Sequence, residues 1–213
     1  METRAIKIFA PMSKKIALKV IPGHFATSNS HINLYIDLTT MKTRQSEASE
    51  AARILAKQYI ISTLIDTIVC LEGSEVIGAF LAQELSNSGF MSMNEHQTIY
   101  ITSPTYNTNG QMMFQENIQP LIHNKNILLL AGSTTTGDTL KRSIECIQYY
   151  NGMIQGISSI FSAVDCVDNI KVHSIFKPKD LPDYASYPIG ECPMCEAKHK
   201  LEAIVNGYGY MKL

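Results

Sequence analysis

Between Ser133 and Thr139 the chain reads S-T-T-T-G-D-T, five hydroxyls around one glycine and one acid. Residues of this kind hold phosphate when a helix follows them. The helix N-terminus supplies unpaired N–H groups and partial positive charge, hydroxyls add neutral donors, and glycine lets the backbone come close. A helical pattern does follow, with Leu140, Ile144 and Ile147 on one face and Asn151-Gly152 as a stop. The same residues also suit a plain helix cap, and Asp138 in a first turn complements the helix dipole. Both readings stay open on the local pattern. The stretch is not a Walker loop, since no Gly-Lys-Ser/Thr follows the glycine, and it lacks a Gly-x-Gly-x-x-Gly fingerprint.

A second group with chemical potential is C-P-M-C, Cys192 to Cys195, with His199 four residues on. These supply two or three zinc ligands, whereas a closed structural site needs four. The remainder would come from Cys166, His173, a carboxylate or a neighbouring copy; the competing reading is a plain turn with buried thiols. A thioredoxin-like redox role fits poorly, because that motif follows an early strand. His24 and His31, in G-H-F-A-T-S-N-S-H, are able to contact a base or phosphate and equally able to be structural. Tyr149-Tyr150 and the group Tyr184, Tyr187, Tyr208 and Tyr210 would stack a base or seal an interface. The methionines at Met91, Met93, Met112 and Met113 suit adaptable packing or a loop that closes.

The elements that must position these residues follow from hydrophobic pattern. Ile127 to Leu130 is an uninterrupted apolar run, read as a short buried strand leading into the hydroxyl loop. Thr67–Leu71 predicts a strand ending at Glu72-Gly73-Ser74, where a helix opens and runs through V-I-G-A-F-L-A-Q-E-L to a stop near Asn87-Ser88-Gly89. That helix is apolar nearly all round and belongs deep against a sheet. An amphipathic helix starts at Ser46, with Ala51, Ile54, Leu55 and Tyr59 on its buried face. Further strands are expected at Thr98–Thr102, 156–164 and 171–176, and Ile32, Leu34 and Ile36 alternate as in a strand. Residues 1–22 read as a short helix or arm leading to a Pro22-Gly23 turn, and Ser103–Asn117 as a long polar loop.

Strands alternating with helices predict an α/β fold: a mainly parallel sheet flanked by helices, built of right-handed crossovers. Ligands in such folds gather beyond the C-terminal strand ends, so the loops Glu72–Ser74, Ser103–Asn117 and 131–137 face one region. The expected organisation is an N-terminal segment over 1–45, a core over 46–180 and a C-terminal appendage over 181–213. Lys and Arg number 18 against 19 Asp and Glu, and no basic stripe suggests a nucleic-acid surface. No run approaches the ~18–20 apolar residues of a membrane span. Five cysteines, mostly inside apolar segments, predict a reducing compartment, by default the cytoplasm.

Taken together these residues resemble the type I phosphoribosyltransferase family, in particular its orotate phosphoribosyltransferase-like branch. Gly23-His24-Phe25 followed by His31 and Tyr35 is similar to that branch's N-terminal substrate segment, which makes His24, Phe25 and His31 base-side residues by resemblance. Glu72-Gly73-Ser74, with Gly78 after it, stands where the family places its pyrophosphate loop. Ile127 to Leu140 resembles the signature strand and 5′-phosphate loop, with Thr135, Thr136 and Gly137 matching T-T-G; the implied phosphate grip is Ser133, Thr134, Thr135, Thr136, Gly137 and Thr139. C-P-M-C-E-A-K is similar to a Cys-Pro-x-Cys segment near the end of some members.

The resemblance implies transfer of phosphoribose from phosphoribosyl pyrophosphate to a nucleobase such as orotate, with Mg²⁺ bridging pyrophosphate and ribose hydroxyls, in a symmetric homodimer. An acidic pair at the end of the signature strand would grip the ribose hydroxyls, and a mobile cationic loop would cover the pyrophosphate. This chain departs from both. Ala131 and Gly132 occupy the acidic positions, and no Lys or Arg occurs from Gln58 to Asn124, where His96 and His123 are the only potential cations. The alternative is therefore a non-catalytic nucleotide-binding or regulatory protein on the same fold, binding a small phosphorylated ligand.

Overall fold

The computed structural model describes residues 2–87, 92–95 and 97–213. Its centre is a six-stranded sheet that grows from short apolar runs. Strand β4 (Thr67–Cys70) is buried at every residue, and in β8 (Asn126–Thr134) Ile127 to Ala131 are at most 3% exposed. Runs this apolar must be covered on both faces, as parallel strands are. Helices α2 (Gln45–Ala56) and α3 (Glu75–Ser86) cover one face, where Ile68, Cys70, Leu128 and Leu130 meet Leu55, Ile77 and Leu81. Helix α4 (Asp138–Tyr149) covers the other, packing Leu140, Ile144 and Ile147 on Val69, Leu129 and Ala131. The strand alternation assigns each residue its face.

Strands β5 (Tyr100–Thr102), β9 (Met153–Ser162) and β11 (Ile170–Phe176) join β4 and β8 in parallel, and β10 (Cys166–Val167) closes one edge antiparallel to β11. The spatial order is β10-β11-β9-β8-β4-β5. Strand order reverses between β4 and β8, so the chain leaves these neighbours toward opposite sides. A crevice opens at their carboxyl ends, the usual ligand site of open α/β sheets.

A second six-stranded sheet stands over that crevice as a hood. Its N-terminal half is β1 (Ile6–Ala10), β2 (Ser13–Ala26) and β3 (Ser30–Asp37), paired antiparallel. Here the structure corrects the sequence reading of residues 1–22 as a helix or arm. Pro22-Gly23 is not a turn; it lies inside β2, at a register shift between Pro22 and Phe25. A Cβ on Gly23 would stand 2.7 Å from the Phe25 ring and 2.6 Å from a Glu202 oxygen, so glycine serves close packing there.

The C-terminal residues complete the same sheet. Strand β12 (Ser186–Pro188) pairs with β3, and after the short helix α5 (Pro193–Glu196), β13 (Ala203–Asn206) pairs with β2 and with β14 (Gly209–Lys212). Both chain ends therefore build one layer. Ser103–Asn117 contains a small hairpin, β6 (Thr105–Tyr106) with β7 (Met112–Met113). Helix α3 ends at Ser86 with Asn87 as its cap; Ser88 and Gly89 of the expected stop, Met91 and His96 lie outside the described residues. Among the described residues no helix is long and apolar enough to cross a membrane.

Candidate functional site

The crevice is bounded on the core side by the loop from Ser133 to Thr139 and on the hood side by Thr27–Asn29, Ile32, Tyr35 and the β13–β14 turn at Asn206-Gly207. Gly137 shapes the loop. Its φ of +89° is a left-handed conformation that disfavours a side chain, and it turns the chain directly into α4. No side chain caps that helix. The Thr136 hydroxyl donates instead to the Asp138 carboxylate at 2.8 Å and stands 3.5 Å from the Asp138 amide, too far for a good cap. Of the two readings open in the sequence, capping is thus unfulfilled, and the first-turn N–H groups open on the crevice with the hydroxyls of Ser133, Thr134, Thr135 and Thr139 around them.

Facing this loop is Tyr184, whose hydroxyl is shielded from solvent and has no hydrogen-bond partner among the described residues. Its ring packs edge-on to Phe161 at 5.0 Å, and burial raises its pKa, so it stays a neutral donor. An orphaned buried donor on a cleft wall is a group in want of an acceptor.

The Glu72–Ser74 loop closes the adjoining end. Glu72 and Gly73 both take left-handed backbone, at φ +54° and +78°. The Ser74 hydroxyl is fully buried and donates to the Leu130 carbonyl, so it holds the loop to β8 and does not line the crevice. Glu72 lines the crevice; burial raises its carboxyl pKa, and the nearby Lys42 charge opposes that shift.

Lys42 is the residue the sequence reading missed. It lies in α1 (Thr39–Thr43), directly after the hood sheet, and only 7% of it is exposed. Its ammonium donates to the Glu72 carbonyl at 2.6 Å and the Gly207 carbonyl at 2.7 Å. Burial lowers its pKa, and Glu72 and Glu75 pull it back up. A Cβ on Gly132 would meet the Lys42 Nζ at 2.7 Å. The space into which an acid at 132 would project is thus filled by an ammonium, while Ala131 points the other way into the α4-side core. A magnesium ion wants a cluster of oxygen ligands. With an ammonium in that place, the residues around Gly132 do not fit one.

A second cavity of ≈ 650 Å³ lies under the β6–β7 hairpin, sharing Glu72 and Thr139 with the crevice. Its polar lining includes Tyr106, Asn107, Gln111, Arg142 and Glu145. One cation against Glu72 and Glu145 is a poor setting for a pyrophosphate, which carries several negative charges.

His24, Phe25 and His31 do not line the crevice. Phe25 is fully buried against Tyr35, and His24 is 4% exposed. The two histidines turn to the cysteines: His24 Nε2 lies 3.0 Å from His31 Nδ1, Cys195 packs on both rings and Cys192 on that of His24. Cys166 and His173, candidates to complete that set, stand elsewhere, on β10 and β11. His199 contributes only its backbone carbonyl, to His24 Nδ1 at 3.0 Å.

No family model matches the chain, and no curated protein matches it in sequence. Solved structures do. An orotate phosphoribosyltransferase of Mycobacterium tuberculosis H37Rv, solved in complex with Fe(III) dicitrate, superposes with TM-score 0.53 at 12% identity, over 76% of this chain and 91% of that one. The orotate phosphoribosyltransferase of Aeropyrum pernix gives 0.53 at 15%, over 75% and 88%. The adenine phosphoribosyltransferase of Thermoanaerobacter pseudethanolicus gives 0.51 at 13%, over 82% and 96%. The structural neighbours are type I phosphoribosyltransferases, and the likeness at these identities shows the fold. The chain has the phosphoribosyltransferase fold, as its signature strand and loop imply.

Proposed function

We propose that the crevice binds the 5′-phosphate and ribose of a nucleoside monophosphate or a closely similar phosphoribosyl ligand, without Mg²⁺. The phosphate sits on the Ser133–Thr139 loop, held by the N–H groups of the uncapped helix and by hydroxyls, none of which needs a cation. The observation that carries this reading is Lys42 in the space beside Gly132. An ammonium there, bonded to the carbonyls of Glu72 and Gly207 on the crevice wall, fills the place where an acid would accept from hydroxyls and recruit a metal. Tyr184 offers one further donor. The poorly cationic second cavity argues against a pyrophosphate leaving group, so binding without phosphoribosyl transfer is the preferred reading.

Calorimetric titration with UMP, AMP and ribose 5-phosphate in the presence of a chelator tests this. Binding is expected in the chelator, and Thr135→Val with Thr136→Val is expected to weaken it by about ten-fold or more, as for lost hydrogen bonds to a charged group. Equal affinity in the double variant would sink the proposal. Release of pyrophosphate from phosphoribosyl pyrophosphate with orotate, uracil or a purine base would instead favour the transferase reading, for which the loop and fold are the motive.

A further inference from the structure

The hood has little apolar or ladder contact to hold its C-terminal half. Strand β13 meets β2 through two residue pairs, Ala203 with Phe25 and Ile204 with Ala26, and β12 meets β3 through three. Beyond residue 182 the buried apolar residues are Cys192, Ala203 and Val205. So small an apolar contribution is the situation in which chains add a covalent or metal staple.

A four-ligand set lies at this joint. His24 on β2, His31 on β3, Cys192 and Cys195 bring one ligand atom each to within 4.8 Å of every other. His24 Nε2 is 3.5 Å from Cys192 Sγ and 3.6 Å from Cys195 Sγ, and Cys195 Sγ is 3.2 Å from His31 Nδ1. Bonds of about 2.0–2.1 Å to nitrogen and about 2.3 Å to sulfur would put tetrahedral ligand atoms roughly 3.3–3.8 Å apart. The two separations from His24 to the sulfurs fall in that range, and those from His31 to Cys195 and to His24, 3.2 and 3.0 Å, lie a few tenths below it. His24 Nδ1–H donates to the His199 carbonyl at 3.0 Å, which fixes the tautomer and leaves the Nε2 lone pair facing the centre. Without an ion, two imidazole nitrogens 3.0 Å apart share one proton while two sulfurs crowd them.

We propose that His24, His31, Cys192 and Cys195 bind one Zn²⁺ in a closed, structural site that clasps the C-terminal segment to the β2–β3 hairpin. Two nitrogens and two thiolates complete a tetrahedron and leave no open position, so the ion's role is structural rather than catalytic. The clasp also fixes the ligand crevice. The Thr27–Asn29 wall is the loop between the two histidines, and the Asn206-Gly207 wall is the β13–β14 turn downstream of the cysteines.

Metal analysis of the full chain, purified reduced and without chelator, decides the matter independently of any nucleotide. About one zinc per chain is expected, falling below about a tenth in Cys195→Ser and in His31→Ala, the two ligands nearer solvent. Should either variant fail to fold, Co²⁺ exchanged into the unmodified protein gives the second reading: thiolate-to-cobalt charge transfer with intense tetrahedral d–d bands. A chain that stays metal-free after incubation with zinc under reducing conditions would overturn the proposal. So would zinc retained at full stoichiometry in both variants, or a weak octahedral cobalt spectrum.

Discussion

Lys42 is a buried ammonium bonded to two backbone carbonyls from segments that meet only in the fold, Glu72 and Gly207. Replacing it by methionine keeps the volume and leaves both carbonyls without that donor, so Lys42→Met is expected to cost about 1–3 kcal/mol in urea denaturation. Lys42 holds Glu72 and Gly207, both on the crevice wall, so nucleotide affinity should fall further than stability explains. Unchanged affinity in a folded Lys42→Met protein would remove the residue from the site. Its role was not legible in the sequence. Its bonds reach 30 and 165 residues along the chain, and a lysine in a short helix reads as solvated surface. The hydroxyl-rich loop and the helix after it were legible because hydroxyls, glycine and helix start all lie within seven consecutive residues. His24 and His31 were noticed but set on the base side, because nothing local shows that residues 192–195 return to them.

At the scale of elements, the β8–loop–α4 unit depends on one backbone geometry. Gly137→Ala must hold φ near +89° with a Cβ 3.1 Å from Val167 Cγ2. A loss of about 1–2 kcal/mol is expected, with weaker monophosphate binding as the first-turn N–H groups re-aim. Thermal melting beside calorimetry separates the two effects, and a fully stable variant with unaltered binding would show that the loop geometry is not needed. The parallel strands could be read from sequence because apolar runs such as Ile127–Leu130 tolerate no other placement. Strand β2 escaped because proline and glycine normally punctuate, whereas here they sit in a strand at a register shift. The C-terminal strands were too short and polar to declare a sheet; only pairing with β2 and β3 makes them one.

At the scale of the molecule, hood and core are tied by Glu50 of α2, which accepts from Ser13 of β2 at 2.6 Å and from Arg53 at 2.6 and 2.9 Å. The Arg53 guanidinium, then the Ser13 hydroxyl, hold the Glu50 pKa down at about 2. A depressed carboxyl favours the folded state while ionised, so its contribution is complete above the ordinary value of 4.5 and is lost as pH falls toward 2. With Arg53 partly in solvent, the effect is on the order of 1 kcal/mol. Urea midpoints of the unmodified chain and Glu50→Gln should therefore converge between pH 4.5 and 2. A constant difference across that range would mean the carboxylate is not the tie.

All three scales meet in the claim that the crevice takes a 5′-phosphate beside a lysine rather than beside an acidic pair and a metal. A crystal grown with UMP in the presence of EDTA tests it most directly. The account predicts the phosphate on the Thr135–Thr139 N–H groups and hydroxyls, with Lys42 Nζ still bonded to the Glu72 and Gly207 carbonyls and no metal beside Gly132. An unliganded crevice at saturating UMP, or phosphate bound there only when Mg²⁺ is added, would contradict it.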